Sequence, residues 1–216
     1  RGLETGRPGF GLDPKDPVSP VRTLDRETLT PNLRTPNHNR LLHIRAAYRS
    51  GWSTEEIHEA TRVAYWLWSA HVFTRGEFAI AAGWVERARS LAAARQSGEY
   101  GWPLIPQAYG CFGAGDYETA KGLLHRAVEL GLGRGDADLV TIATTMCGRA
   151  TLKLGSMDSG LALLDEAMVR ILARTTSPRA TSVMYCAAIG SCYEVHEIAR
   201  AAEWSVALDT WLGTLP

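Results

Sequence analysis

Six histidines, four cysteines and 23 acidic side chains are the groups in this 216-residue chain that could do chemistry. Their spacing argues against it. His38, His43, His58, His71, His125 and His196 are scattered and form no HExxH pair for a metal. His58 beside Glu59 and His196 beside Glu197 could act as acid and base only with a pocket and a partner, so they are expected on exposed helix faces. Asp165-Glu166 reads the same way. Ser156 and Ser191 lie near glycines but lack a GxSxG elbow. Gly131-x-Gly133-x-Gly135 lacks both the GxGxxG spacing and a preceding strand, which makes it a helix terminus rather than a phosphate cradle. No GxxxxGK[ST] loop is present. Cys111, Cys147, Cys186 and Cys192 sit in apolar helical patterns without a CxxC pair and read as buried small hydrophobes in a reducing compartment. The expectation is a chain with no catalytic residue, no metal ligand, no cofactor and no enzymatic activity.

Charge and hydropathy narrow the rest. Lys+Arg and Asp+Glu both number 23, so no net field draws in nucleic acid or an acidic membrane. The longest apolar stretch, 63–73, is too short for a bilayer. The opening is rich in Pro and Gly, with no charged leader before an apolar block, so a cytoplasmic location is expected. The start at Arg1 suggests a fragment or a processed chain.

The elements that must position these groups begin near residue 41. Residues 1–40 hold six of the ten prolines, eight apolar residues and no alanine, the composition of a disordered or extended arm. All 29 alanines follow, with apolar spacing near 3.6, so residues 41–216 are expected to form one all-α domain. A period runs through it. Gly76 leads to Ala81 and Ala88, Gly115 to Ala120 and Ala127, Gly155 to Gly160 and Ala167, and a degenerate copy runs from His196 to Ala201. The lead positions are 39, 40 and 41 residues apart. Small residues at the start of each second helix let it approach the first closely, so each period is one helical hairpin. The hairpins fall near 53–96, 103–130, 137–173 and 178–212. Ser53-Thr54-Glu55-Glu56 is a capping box opening a helix to about Phe73. Asp136 or Asp138 caps a later helix, and Ser177-Pro178 starts another.

The same capping box has the look of a helix-turn-helix start, but Tyr65-Trp66-Leu67-Trp68 is too apolar to read a DNA groove and belongs to the scaffold. Most of the seven tryptophans are expected in packing, with a few on a concave binding face. Trp204, Leu208, Trp211 and Leu212 have no following helix to cover them, so the native chain is expected to continue beyond Pro216.

Gly115-Asp116-Tyr117, Ala120, Leu124, Ala127 and Gly148 resemble the turn, small and bulky positions of tetratricopeptide (TPR) repeats, which implies antiparallel hairpins stacked as a right-handed solenoid. From about Tyr65 onward, the string from Gly160 to Met168, Ser177-Pro178, Cys192-Tyr193-Glu194 and Arg200-Ala201-x-Glu203-Trp204 is similar to the helical-repeat region of actinobacterial LuxR-type transcriptional regulators. That resemblance implies a non-catalytic sensor or coupling segment, acting by binding a ligand or a protein partner. DNA would then be reached only through a helix-turn-helix absent from this chain. Two alternatives are a stand-alone TPR-like adaptor and the coupling arm of an ATPase- or nucleotide-cyclase-containing protein.

Overall fold

The computed structural model describes residues 54–93 and 100–215. Every regular element among them is helical. The chain forms two compact units, 1–98 and 99–216. The proposed arm, 1–40, and Ser53 of the capping box lie outside the described residues.

In the first unit, α1 (Thr54–Ser69) carries Glu55 and Glu56 in its first turn, where carboxylates offset the positive end of the helix dipole. Ile57, Ala60, Ala64, Tyr65 and Trp68 recur at helical spacing and are all buried. They form the inward face of α1. Its neighbour α2 (Phe78–Ala93) buries Ala81, Trp84 and Ala88 by the same rule. Tyr65 and Trp68 stack at 5.6 Å between ring centroids. The α-helix does not run on to Phe73. It ends at Ser69, and Ala70–Arg75 forms a π-helical turn closed by Gly76 at φ +67°. There the Glu77 N–H donates to the His71 carbonyl at 2.9 Å, six residues back. The corresponding turns of the second unit span five.

The second unit contains α3 (Leu104–Ala114), α4 (Tyr117–Arg134), α5 (Ala137–Lys153), α6 (Met157–Leu172), α7 (Pro178–Glu194) and α8 (Ile198–Leu212). Each helix packs on the next in the chain, and α5 also packs on α7. Gly115, Gly155 and His196 all lie in the left-handed region, at φ +75°, +84° and +62°. In each case the following N–H reaches back to a carbonyl of the helix just ended: Asp116 to Cys111, Ser156 to Thr151, Glu197 to Cys192. This satisfies carbonyls the helix end leaves open and reverses the chain within two residues. Gly131 and Gly133 lie inside α4, and Gly135 closes it at φ +65°. The glycine run is therefore a helix end.

Caps start the next helices. Asp116 accepts from the Thr119 N–H, Asp136 from Leu139 and Ser177 from Ala180. Of the two aspartates that could begin α5, Asp136 is the cap. The core is built by close approach. A Cβ on Gly160 would sit 2.6 Å from Leu152 Cγ, and one on Gly148 would sit 3.0 Å from the Gly160 carbonyl oxygen, so α5 and α6 meet through two glycines. Helix α5 is buried on nearly all sides. Two of its polar side chains are accommodated locally: Thr145 and Thr151 donate to the carbonyls of Thr141 and Cys147, four residues back.

Candidate functional site

The positions singled out by the repeat pattern fall into two sets. Gly76, Gly115 and Gly155 stand at left-handed turns. Ala81, Ala88, Ala120, Ala127, Gly160, Ala167 and Ala201 are buried at helix contacts. Neither set gathers polar groups into a reactive centre. Among the described residues, no group of three or more His, Cys, Asp and Glu could hold a metal, and no helix is long and apolar enough to cross a membrane.

Several side chains differ from their expected surroundings. His58 is buried rather than exposed, because it follows Ile57 on the inward side of α1, while Glu59 faces solvent. Cys147 and Cys192 are buried, and burial pushes both thiols above their ordinary range. Cys186, however, is exposed and Cys111 half-buried, so the expectation that all four are core residues is corrected. Cys186 falls outside the buried face of its helix. Asp165 is not simply solvated. Arg200 forks onto its two oxygens at 3.0 and 3.1 Å.

That fork is one of a series of contacts joining successive hairpins of the second unit. Trp102 Nε1 donates to Asp136 Oδ2 at 2.8 Å. The Ser177 N–H donates to Asp138 Oδ1 at 2.7 Å. Arg149 and Lys153 of α5 meet Glu194 of α7 at 3.3 and 2.8 Å. The Lys153 hydrogen bond, with the Arg149 charge adding to it, holds the Glu194 carboxyl below its ordinary range. Under these polar contacts Leu152, Leu161, Leu164, Cys192 and Ala201 form a cluster against which Trp204 packs. Trp211 stacks near Tyr185 at 6.1 Å.

What the two units offer to another molecule is apolar surface. In the first unit Phe73, Phe78 and Ile80 are exposed around the π-helical turn. His71 Nδ1 lies 2.6 Å from Glu77 Oε2 across that turn. In the second unit Val169 and Leu172 of α6 and Ile198, Val206 and Leu212 of α8 are exposed.

Comparison with known proteins places a relationship at the other end of the chain from the TPR resemblance. Residues 1–72 match the family described as carbamoyl-phosphate synthetase large chain, oligomerisation domain. Over 67 residues the chain is 39% identical to the carbamoyl phosphate synthase large chains of Rhodopirellula baltica and Archaeoglobus fulgidus, and 44% identical to that of Mycobacterium sp. strain JLS. These similarities cover 31% of this chain and 6% of each relative, so the chain spans only a small part of their length. No solved structure matches it.

These matches overturn the LuxR identification, along with the transcriptional sensor function, the adaptor and the ATPase- or cyclase-arm alternatives drawn with it. They also overturn the expectation of a chain without enzymatic activity, since the relatives are large chains of an enzyme. The match takes in the Pro-rich stretch, 1–40, and continues through the whole of α1.

Proposed function

We propose that residues 1–72 serve as an association segment, comparable to the oligomerisation domain of a carbamoyl phosphate synthase large chain, within a polypeptide related to that enzyme. The partner is then protein: a second copy of the chain, or other domains of the same polypeptide. The single observation behind this reading is the family similarity over 1–72, which takes in the whole of α1. The exposed aromatic residues Phe73 and Phe78, just beyond that stretch, add apolar surface of the kind association uses.

We further propose a helical-repeat domain over 41–216, preceded by a disordered or extended Pro-rich arm over 1–40, the association segment overlapping both. The hairpins near 103–130, 137–173 and 178–212 would be turns of a TPR-like right-handed solenoid, with a further hairpin near 53–96. The near-constant spacing of Gly115, Gly155 and His196, and the packing of α5 on α7, support this reading. Free cysteines fit a cytoplasmic setting.

The test uses the whole chain. A photoreactive amino acid replacing Glu59, on the exposed side of α1, is expected to cross-link to a second copy in proportion to concentration, with sedimentation showing a species above monomer mass. Absence of any inter-copy cross-link from this position would remove the second copy as partner and leave only other domains of the same polypeptide.

A further inference from the structure

Gly131, in the last turn of α4, and Ser177, just beyond α6, both meet the first turn of α5. A Cβ on Gly131 would lie 2.8 Å from Val140 Cγ2, and the Ser177 N–H donates to Asp138. The ends of α4 and α6 are therefore neighbours on one edge of the second unit. Both ends carry the same pattern. The last buried residue, Gly131 or Ile171, is followed by an exposed leucine, Leu132 at 57% or Leu172 at 54%, and then, two positions on, by Arg134 or Arg174. Leu212 is 40 residues after Leu172, as Leu172 is after Leu132, and it too is exposed at the end of its helix, α8. Single exposed leucines are ordinary on a protein surface. Leucine at the same wet repeat position of all three second helices is a row, and an apolar row marks a surface that another protein covers.

The charges on this edge narrow what covers it. Among the described residues, neither Arg134 nor Arg174 forms an ion pair, and the carboxylates nearest in sequence are engaged elsewhere. Glu129 holds Arg126, Glu166 holds Arg170, Asp136 accepts from Trp102 and Leu139, and Asp138 accepts from Ser177. Arg134 lies over the Tyr100 ring at 5.3 Å, which positions the guanidinium without neutralising it. Arg174 stands at φ +55°, a conformation that suits glycine and that Gly135 adopts at the end of α4. Backbone preference therefore does not account for an arginine there.

We propose that this edge, Leu132 and Arg134 with Leu172 and Arg174, is a docking site for an acidic segment of a partner protein in which carboxylates alternate with apolar side chains. The leucines lose water against the apolar side chains, and each guanidinium receives a carboxylate that this chain does not supply. Leu212 extends the row, but Thr214 stands where a third arginine would continue the charge, so that end takes apolar groups alone. Nucleic acid is the poorer occupant, because two guanidiniums release few counterions and the leucines offer nothing to a phosphate. Exposed ion pairs add little each, so the affinity for a short segment is weak, on the order of 100 μM.

The site lies within the second unit and does not rest on the role assigned to residues 1–72, which the cross-linking from position 59 tests separately. Fluorescence anisotropy of the full chain with a short labelled peptide alternating leucine and glutamate tests it, beside the same peptide with lysine for glutamate and a single-stranded oligonucleotide. The glutamate peptide is expected to bind with a Kd below about 1 mM, and more weakly as salt rises. The lysine peptide and the oligonucleotide should bind at least about tenfold more weakly. Arg134→Gln with Arg174→Gln should raise Kd about threefold or more and flatten the salt dependence. Leu132→Ser with Leu172→Ser should raise it about tenfold or more, while Val206→Ser, exposed on α8 outside the row, leaves it unchanged. Circular dichroism melting confirms that each variant is folded. A glutamate peptide that does not bind, equal binding of the lysine peptide, a Kd indifferent to either double substitution, or tighter binding of the oligonucleotide would each overturn the proposal.

Discussion

The Asp138 carboxylate, in the first turn of α5, accepts the backbone N–H of Ser177, 39 residues away, at 2.7 Å. Ser177 is itself the cap of α7, so its hydroxyl serves the Ala180 N–H while its own N–H is satisfied by the preceding hairpin. One aspartate therefore sets where the next hairpin begins. Asp138 is 7% exposed, and water replaces it poorly. Asp138→Ala is expected to destabilise the second unit by about 1–3 kcal/mol, the cost of leaving a buried donor without a partner. Asp138→Asn keeps an acceptor oxygen and should lose less. Urea unfolding followed by circular dichroism measures both.

The meeting of α5 and α6 gives a second expectation. A methyl group at Gly160 would press on Leu152 and lie 3.0 Å from the Gly148 carbonyl oxygen, which belongs to backbone and does not yield easily. Gly160→Ala should cost about 1–3 kcal/mol through overpacking, despite the better helix propensity of alanine. At Gly122, inside α4, an added Cβ meets nothing within 4 Å. Gly122→Ala should therefore stabilise by up to about 1 kcal/mol. Thermal melts of the two variants should move in opposite directions.

The left-handed turns allow a reciprocal exchange. Gly155 at φ +84° pays no Cβ penalty, whereas His196 at φ +62° does. His196→Gly is expected to raise stability by about 1 kcal/mol and Gly155→Ala to lower it by a similar amount. Denaturant midpoints read both, and a loss of stability in His196→Gly would show that the imidazole contributes more than its backbone strain costs.

Glu194 ties α7 to α5 through Lys153 and Arg149, and its carboxyl is held below the ordinary range chiefly by the Lys153 hydrogen bond. A depressed carboxyl stabilises the fold above the unfolded-state value and ceases to do so as pH falls through the folded one. Its contribution should be complete at neutral pH and fade below about pH 4.3. The pairs are partly exposed, so Glu194→Gln should cost less than about 1 kcal/mol at pH 7. The difference between wild type and variant, followed by urea titration at several pH values, should vanish in acid and shrink in high salt.

The all-helical class is legible from alanine content and apolar spacing near 3.6, because most helices here bury one stripe and leave the other wet, α5 excepted. Asp136 and Ser177 are legible as caps, since their chemistry is local. The π-helical turn at Ala70–Arg75 is not. It differs from its neighbours by one residue in a hydrogen bond and by the His71–Glu77 contact, and neither shows in residue type. The burial of His58 depends likewise on what faces α1. The relationship carried by residues 1–72 was hidden for another reason. Periodicity reports burial and does not distinguish one helical family from another, so neither the Pro-rich opening nor the start of α1 pointed to it. Of Trp204, Leu208, Trp211 and Leu212, expected to be uncovered, only Leu212 is exposed, since Trp204 packs on the cluster of α5 to α8 and Trp211 lies near Tyr185.

Helix α5 touches α4, α6 and α7 and presents almost no side to water. No neighbouring hairpin can detach without wetting it, and Thr145 and Thr151 then lose the dry setting in which they bond the carbonyls four residues back. The second unit should therefore melt in one cooperative step rather than peel away hairpin by hairpin, and amide exchange along α5 should report the global unfolding event.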